Sequence, residues 1–253
     1  MLFNCRFFFI FVNFSFQNGD GGAVVWSGDN GTLTDCKFIS NSAPNGYGGS
    51  VHWVGNNGNM SSSSFITNSA KNNGGAIYWE GANGSIIEIN FINNTANNYG
   101  GGAILWSGAN GSITGSNFVN NTASSYGGAI QWIGANGAVK VSTFTGNNAN
   151  YGGAIDWSGA NGTIKDSDFI NSTGKENGGA IHWSGDKGAL NNSNFTNNKA
   201  NCGGAIFWQG SVGILINSVF IGNSADFGGS VFWNGTNGTI DNSIFNNNLP
   251  NKE

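Results

Sequence analysis

The chain has 253 residues, 43 of them glycine, and is 38% hydrophobic and 13% aromatic but only 9% charged. Nine Lys and Arg against thirteen Asp and Glu leave a net charge of −4; without a basic cluster, nucleic acid and anionic membrane surfaces are excluded as partners. The aromatic content excludes a disordered chain, because disordered segments are depleted in such residues.

In chain order, the first segment is 1–20. Phe7 to Val12 is an apolar run of six after Arg6. It is too short to span a bilayer, and without a small-residue cleavage site it makes a poor signal peptide. Leu2-Phe3-Asn4-Cys5-Arg6-Phe7 matches Leu33-Thr34-Asp35-Cys36-Lys37-Phe38 in spacing and type. Residues 1–20 therefore read as a degenerate coil or N-terminal cap, with a remnant leader as the alternative.

Residues 21–248 are nine repeats of 25–27 residues. All nine tryptophans belong to them: Trp26, Trp53, Trp79, Trp106, Trp132, Trp157, Trp183, Trp208 and Trp233. Twelve residues after each comes a phenylalanine: Phe38, Phe65, Phe91, Phe118, Phe144, Phe169, Phe195, Phe220 and Phe245. A Gly-Gly pair ends four residues before every Trp, and single glycines stand two and five residues after it, so four positions hold 36 of the 43 glycines. Length varies almost wholly between Phe and the next Gly-Gly. Each repeat thus has a rigid half and one elastic loop.

Within the unit, Gly128-Ala129-Ile130-Gln131-Trp132 alternates as a strand does. The residue two before Trp is always Val or Ile and shares its face, which puts the Trp and Phe columns in the core rather than on an exposed stacking platform. A second strand carries an aliphatic five before Phe, from Leu33 to Ile240, and a small residue two before it, Cys36 or Ser except at Ile89. Three after Phe stands Asn in eight repeats, with Ser172 the odd one. That column reads as a ladder of amides bonded coil to coil. No segment shows a helical period. The reading is all-β: a right-handed, single-stranded parallel β-helix solenoid of about nine three-sided coils, a rod roughly 40–45 Å long at about 4.8 Å per coil. One coil alone cannot bury enough to offset its ordering, so stability has to come from stacking.

The residue just before Trp runs Val25, His52, Tyr78, Leu105, Gln131, Asp156, His182, Phe207 and Phe232. A position that accepts Asp and His points outward. Gln131, Asp156 and His182 fall on successive coils, close enough for Asp156 to bond His182. With Tyr78, Phe207 and Phe232 they form the candidate contact stripe for a partner or glycan; a solvated face, or burial under the loops, is the structural alternative. Polysaccharide-cleaving chemistry needs clustered carboxylates, or carboxylate-bound calcium with a basic residue. Arg6 is the only arginine, and Asp166 and Asp168 beside Lys165 have no acidic column above or below. The reading is therefore no enzyme, no catalytic or metal residues and no cofactor. Of three cysteines, Cys5 and Cys36 would stack inward as buried thiols or a disulfide, and Cys202 sits alone in a loop. Asn30, Asn83, Asn110, Asn161 and Asn237 begin glycosylation triplets, although Asn-Gly is equally a turn pair.

Gly-Gly-Ala-Ile followed by Phe-x-x-Asn resembles the repeat of the chlamydial polymorphic outer-membrane proteins. The spacing, the Trp and the Asn-rich surface are similar also to the adhesin-like surface proteins of gut methanogens. The resemblance covers Gly21 to Asn248. It implies right-handed parallel β-helices displayed at the cell surface or outside the cell, attaching to proteins or glycans of host or neighbouring cells. The matching residues are structural ones and name no ligand. Residues 249–253 read as a C-terminal tail. Leu249-Pro250 is similar to the start of a sortase signal without its Thr-Gly, and the chain reads as part of a longer surface protein. The expected function is a non-catalytic adhesin-like domain. A polysaccharide lyase or hydrolase and a passive spacer are the alternatives.

Overall fold

The computed structural model describes residues 9–15 and 19–250. The chain winds into coils with no helix among the described residues. We number the coils 1 to 9 by their tryptophans. In coil 1 the strands are Val24–Trp26, Thr32–Thr34, Cys36–Ile39 and Ser42–Ala43. The first three kinds of strand stack into sheets of nine, nine and ten strands, which we call the Trp, aliphatic and Phe sheets. Within these three sheets the pairings are parallel and in register, so Trp79 lies beside Trp106, Ile86 beside Ile113 and Phe91 beside Phe118.

The coil is four-sided rather than three-sided. A fourth side of short strands runs from Ser42–Ala43 to Thr173–Asn177, continues through single bridges at Lys199, and ends where Ser224–Ala225 pairs with Leu249–Pro250. Four left-handed residues per coil make the corners; in coil 5 they are Gly127, Asn136, Val141 and Gly146, with φ between 51° and 65°. The first two corners lie in the glycine turns. The other two flank the Phe strand; Asn, Gly, Asp and Ser hold most of their positions, but Glu88 and Val141 occur there as well. Glycine is required for space as well. A Cβ on Gly137 would lie 2.3 Å from Cε2 of Trp132, because the indole lies flat over that turn.

The core is two aromatic stacks and an aliphatic one. Trp53 through Trp208 are wholly buried, their rings 4.5–5.1 Å apart and nearly parallel. Phe38 through Phe220 are equally buried and stacked. The end coils are looser: Trp26 and Trp233 are half-buried and Phe245 is exposed. At the Phe corner Asn68 shows the amide ladder. It accepts from the backbone and side-chain amides of Asn41, and its own amide donates to the Phe38 carbonyl and to Asn94. Ser172 interrupts the ladder, and its buried hydroxyl has no partner.

Phe9–Val12 adds a strand beyond coil 1, with Phe9 beside Cys36 and Phe11 beside Phe38. Cys5 and Phe7, aligned with those residues from the sequence, lie outside the described residues. Steric reasoning favours the observed register. It puts Asn13 (φ 56°) at the left-handed corner, where the other alignment would force Phe9, and Asn tolerates that conformation far better than an aromatic.

Candidate functional site

The column just before each Trp points away from the core, because strand residues alternate, but it is not an open stripe. Leu105, Asp156, His182 and Phe207 are buried, and Tyr78, Gln131 and Phe232 are half-buried. The cause is the elastic loop. Its last residue before Gly-Gly leans over the column residue that precedes the second Trp further on, so Tyr47 meets Tyr78 (5.3 Å between rings) and Tyr151 meets His182 (5.7 Å). Sequence alternation reports only which way a side chain points, and the loop decides what covers it.

Two polar clusters sit under this roof. In coils 6 to 8, Nδ1 of His182 donates to Oδ1 of Asp156 at 2.6 Å, and its other ring nitrogen lies 3.2 Å from Oε1 of Gln209. Tyr151 and Phe207 flank the imidazole. Such a carboxylate–imidazole pair can orient a proton carrier, but here both ring nitrogens already have protein partners. Gln131, although in register with Asp156, is not part of this group; its amide makes no hydrogen bond among the described residues. In coils 1 to 3, His52 lies between Glu80 (2.6 Å) and Asp20 (3.6 Å) and stacks on Tyr78 at 4.8 Å. Burial, and then the negative charge of Glu80, push the Tyr78 hydroxyl above its ordinary pKa. Sequence reading found Tyr78 but missed Asp20, His52 and Glu80 as a group. They come from a loop, the column and the residue after Trp, and only the coil-to-coil stacking unites them.

Outside the roof, Asp35, Lys37, Ser62, Ser64, Glu88 and Asn90 line a shallow polar notch of about 370 Å³ between the aliphatic and Phe sheets. Asp166 is held below the ordinary carboxylate range, chiefly by the hydrogen bond from Asn192 and then by Lys165. Cys36 is buried with its Sγ 3.2 Å from the Thr34 carbonyl oxygen; Cys202 is a free thiol, and burial, then Asp226 and Glu176, push it up. Cys5 lies outside the described residues. Among the described residues no three His, Cys, Asp or Glu converge in a metal-binding arrangement, and no helix is long and apolar enough to cross a membrane.

The roofing loops carry the tyrosines. Four of the chain's five, Tyr47, Tyr99, Tyr126 and Tyr151, occupy them, and Tyr99 and Tyr126 are exposed. The candidate stripe from the sequence did not include these four. The available signal was their position, at or next to the residue before Gly-Gly.

The Chlamydia polymorphic membrane protein repeat matches residues 62–78 and 115–131. Both segments run from just before the Phe strand, through the Asn corner and the elastic loop, to the outward column residue, Tyr78 in one and Gln131 in the other. No curated protein matches the chain. The matched segments contain the Phe-x-x-Asn corner and the Gly-Gly-Ala-Ile entry to the Trp strand. The chain is therefore a β-solenoid repeat protein, two segments of which match the polymorphic membrane protein repeat.

Proposed function

We propose that this solenoid is a non-catalytic, adhesin-like domain displayed at the cell surface or outside the cell, where its loops attach to proteins or glycans of host or neighbouring cells. One observation carries the reading: the frame is the same in every coil, while the loops that roof the Trp sheet differ in length, charge and aromatic content. The match to a surface-protein repeat supports the location. The Asp156–His182 pair fits this reading as a tie between coils, because it is buried and both imidazole nitrogens are engaged. The test is adhesion of the purified chain, immobilised on beads, to epithelial and microbial cells. Saturable attachment, blocked by soluble chain, is the expected result. Release of reducing or unsaturated ends from polysaccharide, abolished in a Gln131/Asp156/His182 triple alanine variant, would overturn the non-enzymatic assignment in favour of a polysaccharide-active enzyme.

A further inference from the structure

The loops are not equivalent as roofs. Tyr47 covers Tyr78 and Tyr151 covers His182, but the corresponding residue of the loop that follows coil 3 is Gly100. A Gly-Gly-Gly run displaces the tyrosine to Tyr99, one position earlier. Gly100 therefore has no side chain to lay over Gln131, whose Oε1 would be 2.5 Å from a Cβ built there. Gly100 is also the residue in register with Tyr126. Tyr126 stacks on Tyr151 at 5.3 Å and 21°; on its other side its column offers no side chain, and the Gln131 amide reaches into the place a Gly100 side chain would take. The result is a break in the aromatic roof one coil wide, with the Gln131 amide in place of a loop side chain. The Tyr126 ring forms one wall, Tyr99 stands 52% exposed beside it, and the unengaged Gln131 amide lies against Gly100.

The chemistry of the surround narrows the ligand. Loops 94–102, 121–128 and 147–153 hold Asn, Ser, Thr, Gly, Ala and Tyr and no charged residue. An uncharged surface offering an aromatic face, amides and hydroxyls suits a ligand that is itself uncharged, with a weakly apolar face and many hydroxyls. A protein partner fits less well, since stable protein interfaces bury about 800 Å² on each side around an apolar centre, and here three ring side chains stand among short polar ones.

We infer that Tyr99, Tyr126, Tyr151 and Gln131 form a binding site for an uncharged glycan. One sugar ring packs against the exposed Tyr99 and Tyr126 rings, and the Gln131 amide bonds to its hydroxyls. This rests on the adhesive reading and deepens it. The experiment is calorimetric titration of the full chain with cello-, xylo- and manno-hexaose as uncharged probes and with oligogalacturonate as the acidic one, alongside the bead adhesion assay. The expected result is binding of an uncharged probe. Tyr126→Ala and Tyr99→Ala should each weaken it by about tenfold or more, as for a central aromatic contact, Tyr126→Phe should retain it, and Tyr47→Ala should leave it unchanged. Adhesion that persists undiminished in Tyr126→Ala, or binding confined to oligogalacturonate, overturns this site and leaves the adhesive reading standing. Absence of any adhesion by the unmutated chain overturns both. Should an alanine variant melt early, nitration of Tyr99 and Tyr126 by tetranitromethane is followed on the unmutated chain with and without the hexaoses. Protection supports the site, and unchanged nitration refutes it.

Discussion

The frame, from Gly-Gly to the Asn three past Phe, and the elastic loop obey different rules although both stack on the next coil. In the frame each side chain's main neighbour is the same position one coil away, so changing one residue disturbs two contacts at once. Trp on Trp and Asn on Asn are self-consistent solutions, and the column stays uniform. A loop residue such as Tyr151 instead meets a different column, here His182. Its neighbours need not resemble it, and variation is tolerated. The roof is therefore the part of the molecule free to specialise.

The largest break in this contrast should come from Trp132→Ala, which removes a fully buried indole at mid-rod and leaves a gap in the stack. We expect a loss of about 3–5 kcal/mol in denaturant unfolding, and a much smaller loss from Trp26→Ala in the half-buried first coil. A loop change such as three extra residues after Ser124 should cost under about 1 kcal/mol, because closure entropy grows slowly with length. Equal losses would show that the loop is as constrained as the frame.

Asn121→Ala tests the ladder. It removes the acceptor for both Asn94 amides and the donor to the Phe91 carbonyl, at about 1–3 kcal/mol for each buried group left unpaired. The converse repair, Ser172→Asn, should raise stability by about 1 kcal/mol as the column closes. Val212→Asn should act in the same direction and with similar size. Val212 is β-branched, exposed and held at φ 58°, where eight of the nine coils carry a residue other than Val, and left-handed backbone costs such a residue about 1–2 kcal/mol. Thermal melts of the three variants would rank them.

The smallest effect is one of pH. Asp166 has a folded pKa below its unfolded value, so its contribution is present above the ordinary carboxylate range and is lost as pH falls through the folded value. Being solvent-exposed, it should shift the acid limb of a melting curve only slightly, and Asp166→Asn should remove that shift.

The repeat alone determined the architecture. Nine unslipped Trp-to-Phe intervals make equal residues stack on equal residues, and period-two alternation then assigns Trp, Val24, Ile130 and Phe to one face. The amide ladder followed from the same logic. What the tertiary structure decided lies where contacts cross between columns. The left-handed corner at Val141 arises because the chain must turn into the Phe strand whatever residue stands there, although Asn, Asp or Gly marks most of the equivalent positions. The first strand could be aligned by either Phe7 or Phe11, and the corner two residues later selects Phe11 through Asn13. The outward column looked open because alternation says nothing about loops. A loop side chain returning over the column covers His182, and three glycines in place of two leave Gln131 without such a cover. The spacing between repeats is a local property that a sequence records directly. Coverage depends on where a loop of given length comes down on its neighbour, and only the assembled stack fixes that.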